Sequence, residues 1–383
     1  MKTYGEINER IRRKKAVVYT AEEVIDLVRS KGPEKAAEKV DVVTTGTFGA
    51  MCSSGAFLNF GHSDPPIRMT DIRLNGVEAY GGLAAVDAYI GSTAMRENSG
   101  EFGYGGGHVI EELIAGNRVR LRAWGPGTDC YVRKDIDTYI TLDDLNEAYM
   151  FNPRNVYQNY SAATNTLDRT LYTYMGKLLP RMKNITYSTS GQLSPLLNDP
   201  HLETIGGGTR IFLGGGEGYV AWQGTQYDTA APERNGVPVN GSRTLALMGD
   251  MKQMDHDYVR GMDVHRYGTS IAIGVGIPIP ILNADIMKRA AVSDEDLYTT
   301  LVDYSVTEKG RAALGEYSYA ELRSGTVDYE GHKIRTSPLS SYRKARQVAE
   351  KLKDWIENGE FLLTEPIFRL PETGTVKPLE VRR

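Results

Sequence analysis

Two side chains in this sequence could serve as strong nucleophiles, Cys52 and Cys130, the two cysteines of the chain. A thiol that does chemistry must be partly exposed and have its thiolate form favoured by nearby cations or N–H groups. Cys52 lies in Gly49-Ala-Met-Cys-Ser-Ser-Gly-Ala56, a run of mostly small residues that follows the β-branched stretch Asp41 to Phe48. Such a turn can aim backbone N–H groups and the hydroxyls of Ser53 and Ser54 at the sulfur, forming an anion-binding concavity. The plain alternative is a small thiol packed into a tight bend. Cys130 follows Gly125-Pro126-Gly127 and precedes Arg133 and Lys134. Cations beside a thiol favour its reactive form, and the adjacent Asp129 works against them. The spacing of the two cysteines excludes a local CxxC motif but not a meeting in space. The expectation is that the fold brings both into one cleft, where a disulfide would need Cα atoms about 4.4–6.8 Å apart.

His108, behind a glycine triplet, and His62, in a Gly-His-Ser-Asp-Pro-Pro loop, are the histidines nearest the cysteines in sequence. Either could act as a general acid or base near neutral pH, or be merely structural. Arg118, Arg120 and Arg122 alternate with apolar residues, and with Arg133 they offer guanidinium groups for a substrate carboxylate. A solvated strand face explains the alternation equally well. On this reading Arg122, Arg133, Ser53 and Ser54 are the candidate substrate contacts. His108-Val-Ile-Glu-Glu112 lacks the second histidine of a metalloprotease helix, and no zinc-ligand spacing is present, so no metal site is expected. Gly103-Tyr-Gly-Gly-Gly-His108 misses the last glycine of GxGxxG, and GxxxxGK[ST] is absent, so the triplets read as tight turns, not nucleotide loops.

The elements that must position these residues follow from periodicity. Thr20-Ala-Glu-Glu23 is a capping box opening a helix to about Arg29. Lys31-Gly32-Pro33 stops it and starts a second. Asp41 to Phe48 reads as one buried strand. Ile67 to Tyr80 reads as a hairpin turning at Asn75-Gly76. His108 to Ala115 is a short helix closed by Gly116, and Arg118 to Trp124 is a half-buried strand. Asn165 to Leu179 has helical apolar spacing, as do Asn283 to Ala291 and Asp294 to Thr300. Short strands are expected between Ile185 and Tyr227, at Arg243 to Met248 and at Thr269 to Leu282. Ser341 to Asn358 is an amphipathic helix ended by Gly359.

At 383 residues the chain can bury a sizeable core. A net charge of −4 argues against nucleic acid or an anionic membrane as partner. The longest apolar runs are broken by Gly and Pro and too short to span a bilayer. No apolar signal core opens the chain, and two cysteines do not make a disulfide framework, so a reducing cytoplasm is expected. With 41 glycines, no internal repeat and no clear linker, the fold expected is α/β or mixed α+β. It would be one large glycine-rich domain over 1–383, with a mixed sheet and flanking helices, and not a standard Rossmann fold. A homo-oligomer is left open.

Three stretches resemble one family: VVTTGTFGAMCSSGAFLNFGH from Val42 to His62, GYGGGH from Gly103 to His108, and GPGTDCYVR from Gly125 to Arg133. They are similar to the homocysteine biosynthesis (sulfur-incorporation) family, sulfurtransferases of methanogens and other anaerobes that act on L-aspartate semialdehyde. The resemblance runs from about Tyr19 to Tyr304. It implies that Cys52 and Cys130 handle persulfide sulfur; the working hypothesis, which the resemblance does not itself supply, is that Cys130 is the carrier and Cys52 the resolving thiol. The resemblance also implies a small-molecule substrate and a separate ferredoxin-like iron–sulfur protein. Many archaeal members continue into a pair of CBS domains, which this sequence does not include. Two cysteines cannot hold an iron–sulfur cluster on four thiolates, so no cofactor is expected on the chain and electrons would come from outside. The alternatives weighed are a cysteine-nucleophile acyl or amidino transferase and a non-catalytic persulfide carrier.

Overall fold

The computed structural model describes residues 1–97, 103–156, 158–307 and 310–382. The fold is a mixed α/β arrangement, as expected. Its frame is a sheet of 13 strands among these residues, mostly antiparallel. The path runs from Val259–Val264 through Gly268–Gly276, Arg210–Leu213, Gly216–Gln223, Leu245–Asp250 and Glu147–Asn155 to Gly55–Asn59. It continues through Asp87–Gly91, Val77–Tyr80, Asp71–Leu74 and Val119–Trp124 to Asp135–Ile140, while Thr47–Ala50 pairs with Gly268–Gly276 off the path. The strands alternate because one face is buried and the other wet. Val119, Leu121 and Ala123 point into the main core, while Arg120 and Arg122 face solvent. The hairpin turns at Asn75 and Gly76, both with positive φ (49° and 81°), the turn whose twist matches its strands.

A six-stranded mixed sheet, from Ala313–Ser318 to Thr326–Tyr329, carries two parallel pairings. A three-stranded sheet joins Val18–Thr20, Val42–Thr44 and Pro278–Pro280. Thr20 and Glu23 form the reciprocal capping pair, 2.7 and 3.2 Å, before the helix Glu23–Lys31. Ser341 caps the helix Tyr342–Glu357, which buries Ala345, Val348, Ala349, Leu352 and Ile356. Asp41 is fully buried, and its carboxylate is held by Lys2 (2.9 Å), Arg10 (2.8 Å) and the Val17 N–H. That group ties the N-terminal helix to the small sheet, since an unpaired charge there would be costly.

Three expected elements differ. Asn165 to Leu179 is a loop followed by a hairpin, Leu171–Thr173 with Gly176–Leu178. Its apolar positions also suit a strand. Thr170, Tyr172 and Thr173 favour extended backbone, Gly176 takes φ 80°, and the Asn165 amide holds the loop by donating to the Arg169 carbonyl. Asp294 to Thr300 starts no helix: Tyr298–Asp303 is a strand, β-branched and paired in parallel with Ala162–Thr164. Asp41 to Phe48 is buried throughout but divides at Thr45-Gly46 into strands of two sheets. There the Thr45 hydroxyl donates to the Ile277 carbonyl (2.7 Å).

Among the described residues no helix is long and apolar enough to cross a membrane. Leu352 is fully buried against the cluster that includes Phe212, Val348 and Ile356. Leu352→Ala should therefore cost about 2–5 kcal/mol in urea unfolding, while Gln347→Ala on the exposed face of the same helix should stay within about 0.5 kcal/mol.

Candidate active site

Cys52 sits where Thr47–Ala50 leaves the sheet. The Met51 N–H still donates to Ile271 (2.7 Å), and the Ser54 N–H folds back to Met51 (3.0 Å), so the cysteine is the outer residue of a tight turn. The Ser270 hydroxyl donates to its sulfur at 3.0 Å and the Ser92 hydroxyl to its carbonyl at 3.0 Å. Behind this turn packs the start of the helix Gly106–Ile114, whose first N–H groups go to Ala94 (2.8 Å) and Ser92 (3.0 Å). The approach is backbone on backbone: a Cβ on Gly106 would lie 1.9 Å from the Gly91 oxygen, and one on Gly107 2.1 Å from the Ser270 oxygen. The glycine triplet thus seats the helix against the strands that hold Cys52.

The thiol opens into a cavity of about 590 Å³ lined by Cys52, Ser53, Arg154, Tyr174, Asp228 and Tyr267, among others. Arg154 Nε donates to the Ser53 hydroxyl at 3.3 Å. Tyr267 is part of the same lining; partial desolvation pushes its phenol up, and Cys52 and Tyr174 add to that. It is therefore a neutral O–H donor. Tyr174 packs edge-on to Tyr267 and Tyr304, and its hydroxyl accepts from Tyr304 at 3.0 Å. The C-terminal segment closes one side: Val376 reaches the lining, and Gly374 exchanges hydrogen bonds with Thr229.

The structure divides the candidate residues into groups. Cys52 and Ser53 share the cavity. Ser54 is buried beneath it, donating to Met51 (2.7 Å) and accepting from Asn152 (2.5 Å), so it supports the turn and does not face a ligand. The His108 backbone belongs to the helix behind Cys52. Its ring instead accepts from the Gly105 N–H (3.2 Å) and stacks on Tyr104.

Cys130 is elsewhere, exposed in the turn between Val119–Trp124 and Asp135–Ile140. Register gives its distance from Cys52. Phe57 pairs with Tyr89, Tyr89 with Tyr80, Tyr80 with Asp71 and Asp71 with Trp124. Four strand spacings of about 4.8 Å make roughly 19 Å across the sheet. Alternating direction then puts Cys52 beyond one end of the strands and Cys130 beyond the other. The expectation of one shared cleft is not met within a single chain. Cys130 instead neighbours His62, whose ring stacks on Tyr131 (centroids 5.9 Å apart). The Arg133 guanidinium is committed to the carbonyls of Asp64 (2.6 Å) and Pro65 (3.1 Å). Arg122 lies over Trp124 and pairs with Asp137 (3.8 Å), on the wet face of the sheet.

Arg154, Asp228 and Tyr267 in the cavity lining, and the buried Ser270 that reaches the Cys52 sulfur, are among the residues that sequence reading did not single out. Each lies far along the chain from Cys52 and carries no motif. The one available signal was the abundance of tyrosine, 23 residues. Among the described residues no group of three His, Cys, Asp or Glu side chains is placed to hold a metal ion.

Fold and site define a mixed α/β protein with a cleft thiol under a hydroxyl donor. The chain belongs to the homocysteine biosynthesis enzyme family (sulfur-incorporation), whose profile matches residues 16–363. It is 50% identical over 379 residues to an L-aspartate semialdehyde sulfurtransferase of Methanosarcina acetivorans, covering 99% of this chain and 74% of the relative. It is 52% identical over 381 residues to a protein of the same name from Methanocaldococcus jannaschii, covering 96% and 73%. A 28% identical protein of Methanothermobacter thermautotrophicus has no described activity in its name. No solved structure matches the chain.

The separation of the thiols has a direct check. A substoichiometric maleimide should label Cys130 before Cys52, and mild oxidation should leave no Cys52–Cys130 bond within one chain on peptide mapping. An intrachain disulfide formed in good yield would contradict the placement.

Proposed function

We propose that this chain transfers sulfur to the aldehyde carbon of L-aspartate semialdehyde, giving L-homocysteine, with Cys52 presenting the sulfur as a persulfide. The observation that carries the reading is the Cys52 thiol, open to a cavity of mixed polar and apolar lining and touched by the Ser270 hydroxyl. The identity of about half with two proteins of that named activity supports it. The terminal sulfur adds to the carbonyl carbon, the C=O π bond breaks, and the alkoxide takes a proton from the neutral Tyr267 phenol. Neither His108 nor His62 is placed for that step. The adduct is a disulfide between Cys52 and the hydroxyalkyl sulfur. Two electrons and two protons cleave it to the Cys52 thiol and a thiohemiacetal, which loses water to a thioaldehyde. Two further electrons and two protons give the product thiol.

Closure of the Cys52 and Cys130 thiols to a disulfide could have supplied two of these electrons only if the thiols met. Within one chain they lie at opposite ends of the sheet, and the proposed meeting between copies serves sulfur passage, which leaves both thiols at their starting oxidation state. The four electrons are therefore assigned to an external donor of low potential. A ferredoxin-like iron–sulfur protein is the proposed donor. Cys130, exposed beside His62 and Tyr131, is proposed as the thiol that meets a sulfur-donating protein, with passage to Cys52 running between copies of the chain.

The test is homocysteine formed per enzyme, anaerobically, from reduced and sulfur-loaded protein. Wild type should form product only when a low-potential donor is added, and Cys52→Ser should form none. Substantial product without a donor would overturn the electron count. Transfer between copies predicts a second result: with a protein-bound sulfur donor, Cys52→Ser and Cys130→Ser chains are each inactive alone and recover activity when mixed. Failure of the mixture to recover would confine sulfur passage to one chain or assign Cys130 no part in it.

A further inference from the structure

We infer that the Cys52 cavity recognises its substrate as an α-amino acid, Arg154 taking the α-carboxylate and Asp228 the α-ammonium group. The inference rests on the sulfurtransferase reading above and assigns the residues that select its substrate. Several arginines of the chain face carboxylates, Arg120 with Asp137, Arg210 with Glu217, Arg260 with Glu111 and Arg346 with Glu22, and others stack on tyrosines or bind carbonyls, as Arg96 and Arg133 do. Arg154 has no carboxylate partner among the described residues. Its Nε is held by the Ser53 hydroxyl at 3.3 Å, beside Cys52, which leaves two terminal nitrogens for a carboxylate in the bidentate geometry that guanidinium suits.

Asp228 is the complementary case. One carboxylate oxygen accepts from the Ala230 N–H (2.9 Å), and its main-chain oxygen accepts from the Ser242 hydroxyl (2.8 Å). Both fix the loop, and neither neutralises the charge. No cation pairs with Asp228 among the described residues. Arg154 and Asp228 line one cavity, carry opposite charges and do not form an ion pair with each other. A zwitterion satisfies both at once, whereas a simple carboxylate or a simple amine leaves one charge without a partner, a penalty that gives such sites strong discrimination. The aldehyde carbon lies two bonds beyond the α-carbon, so gripping both α-substituents leaves it little freedom, the entropic advantage of a two-point clamp. The arginines suggested by sequence pattern cannot do this work, since Arg133 is bound to a loop and Arg122 lies on the outer sheet face.

The experiment compares three aldehydes: L-aspartate semialdehyde, succinate semialdehyde, which lacks the amine, and 3-aminopropanal, which lacks the carboxylate. Wild type should prefer the first over each of the others by at least about a hundredfold in kcat/KM. Asp228→Asn should lose the preference against succinate semialdehyde while keeping that against 3-aminopropanal. Arg154→Met should show the converse. A fall by the same factor for all three substrates, or retention of both preferences, would overturn the clamp, because a merely structural role cannot sort the analogues. Calorimetry with L-homoserine, an unreactive alcohol of the same skeleton, reads the clamp without turnover: wild type should bind it and both variants should weaken binding at least about thirtyfold. Turnover by wild type with homoserine binding unaffected in both variants would refute the clamp and leave the sulfurtransferase reading intact. Binding lost in both variants with no turnover by wild type would refute the reaction and keep the clamp.

Discussion

The site depends on a contact in which no side chain takes part. The helix Gly106–Ile114 meets the strands around Gly91 and Ser270 at a distance that leaves no room for a Cβ on Gly106 or Gly107. Because the backbones touch, Ser270 stands where its hydroxyl reaches the Cys52 sulfur, and Ser92 where its hydroxyl reaches the Cys52 carbonyl. The same contact explains why a glycine-rich helix start is not a phosphate loop here. The N–H groups of Gly106 and Gly107 that would greet an anion are already spent on the carbonyls of Ala94 and Ser92.

A long antiparallel sheet separates what it does not hydrogen-bond. Strands added one by one between Gly55–Asn59 and Val119–Trp124 move the two thiols apart, and alternating strand direction sends their turns to opposite ends. Each thiol therefore has its own surroundings: Cys52 a cavity of mixed polar and apolar lining, Cys130 an exposed turn beside a histidine–tyrosine stack.

Charge is distributed with the same economy. Buried Asp41 is matched by Lys2 and Arg10, and Asp294 by Arg323 beneath Tyr342. Arg154 and Asp228 line the Cys52 cavity without an ion pair to each other or to another side chain among the described residues. Tyrosines replace histidines around the thiol, and desolvation keeps Tyr267 in its protonated form, so the cavity offers a hydrogen-bond donor without adding net charge.

Local order was legible wherever it depends on neighbours in sequence. The capping pair of Thr20 and Glu23, the Asn75-Gly76 turn, the alternation of Val119 to Trp124 and the amphipathic helix after Ser341 all come from short-range sterics and hydrogen bonds, and the structure has them. Asn165 to Leu179 and Asp294 to Thr300 misled because apolar spacing alone does not distinguish a helix from a strand whose partner lies far along the chain. The family, and Cys52 as a turn residue after a buried strand, were also readable. Tertiary structure alone decided that Cys130 lies across the sheet from Cys52, since strand order has no local signature. It alone brought Arg154, Asp228, Tyr267 and Ser270 to the thiol. Those residues come from separate stretches with no motif, and only the pairing of distant strands and the packing of loops between them determines which side chains meet.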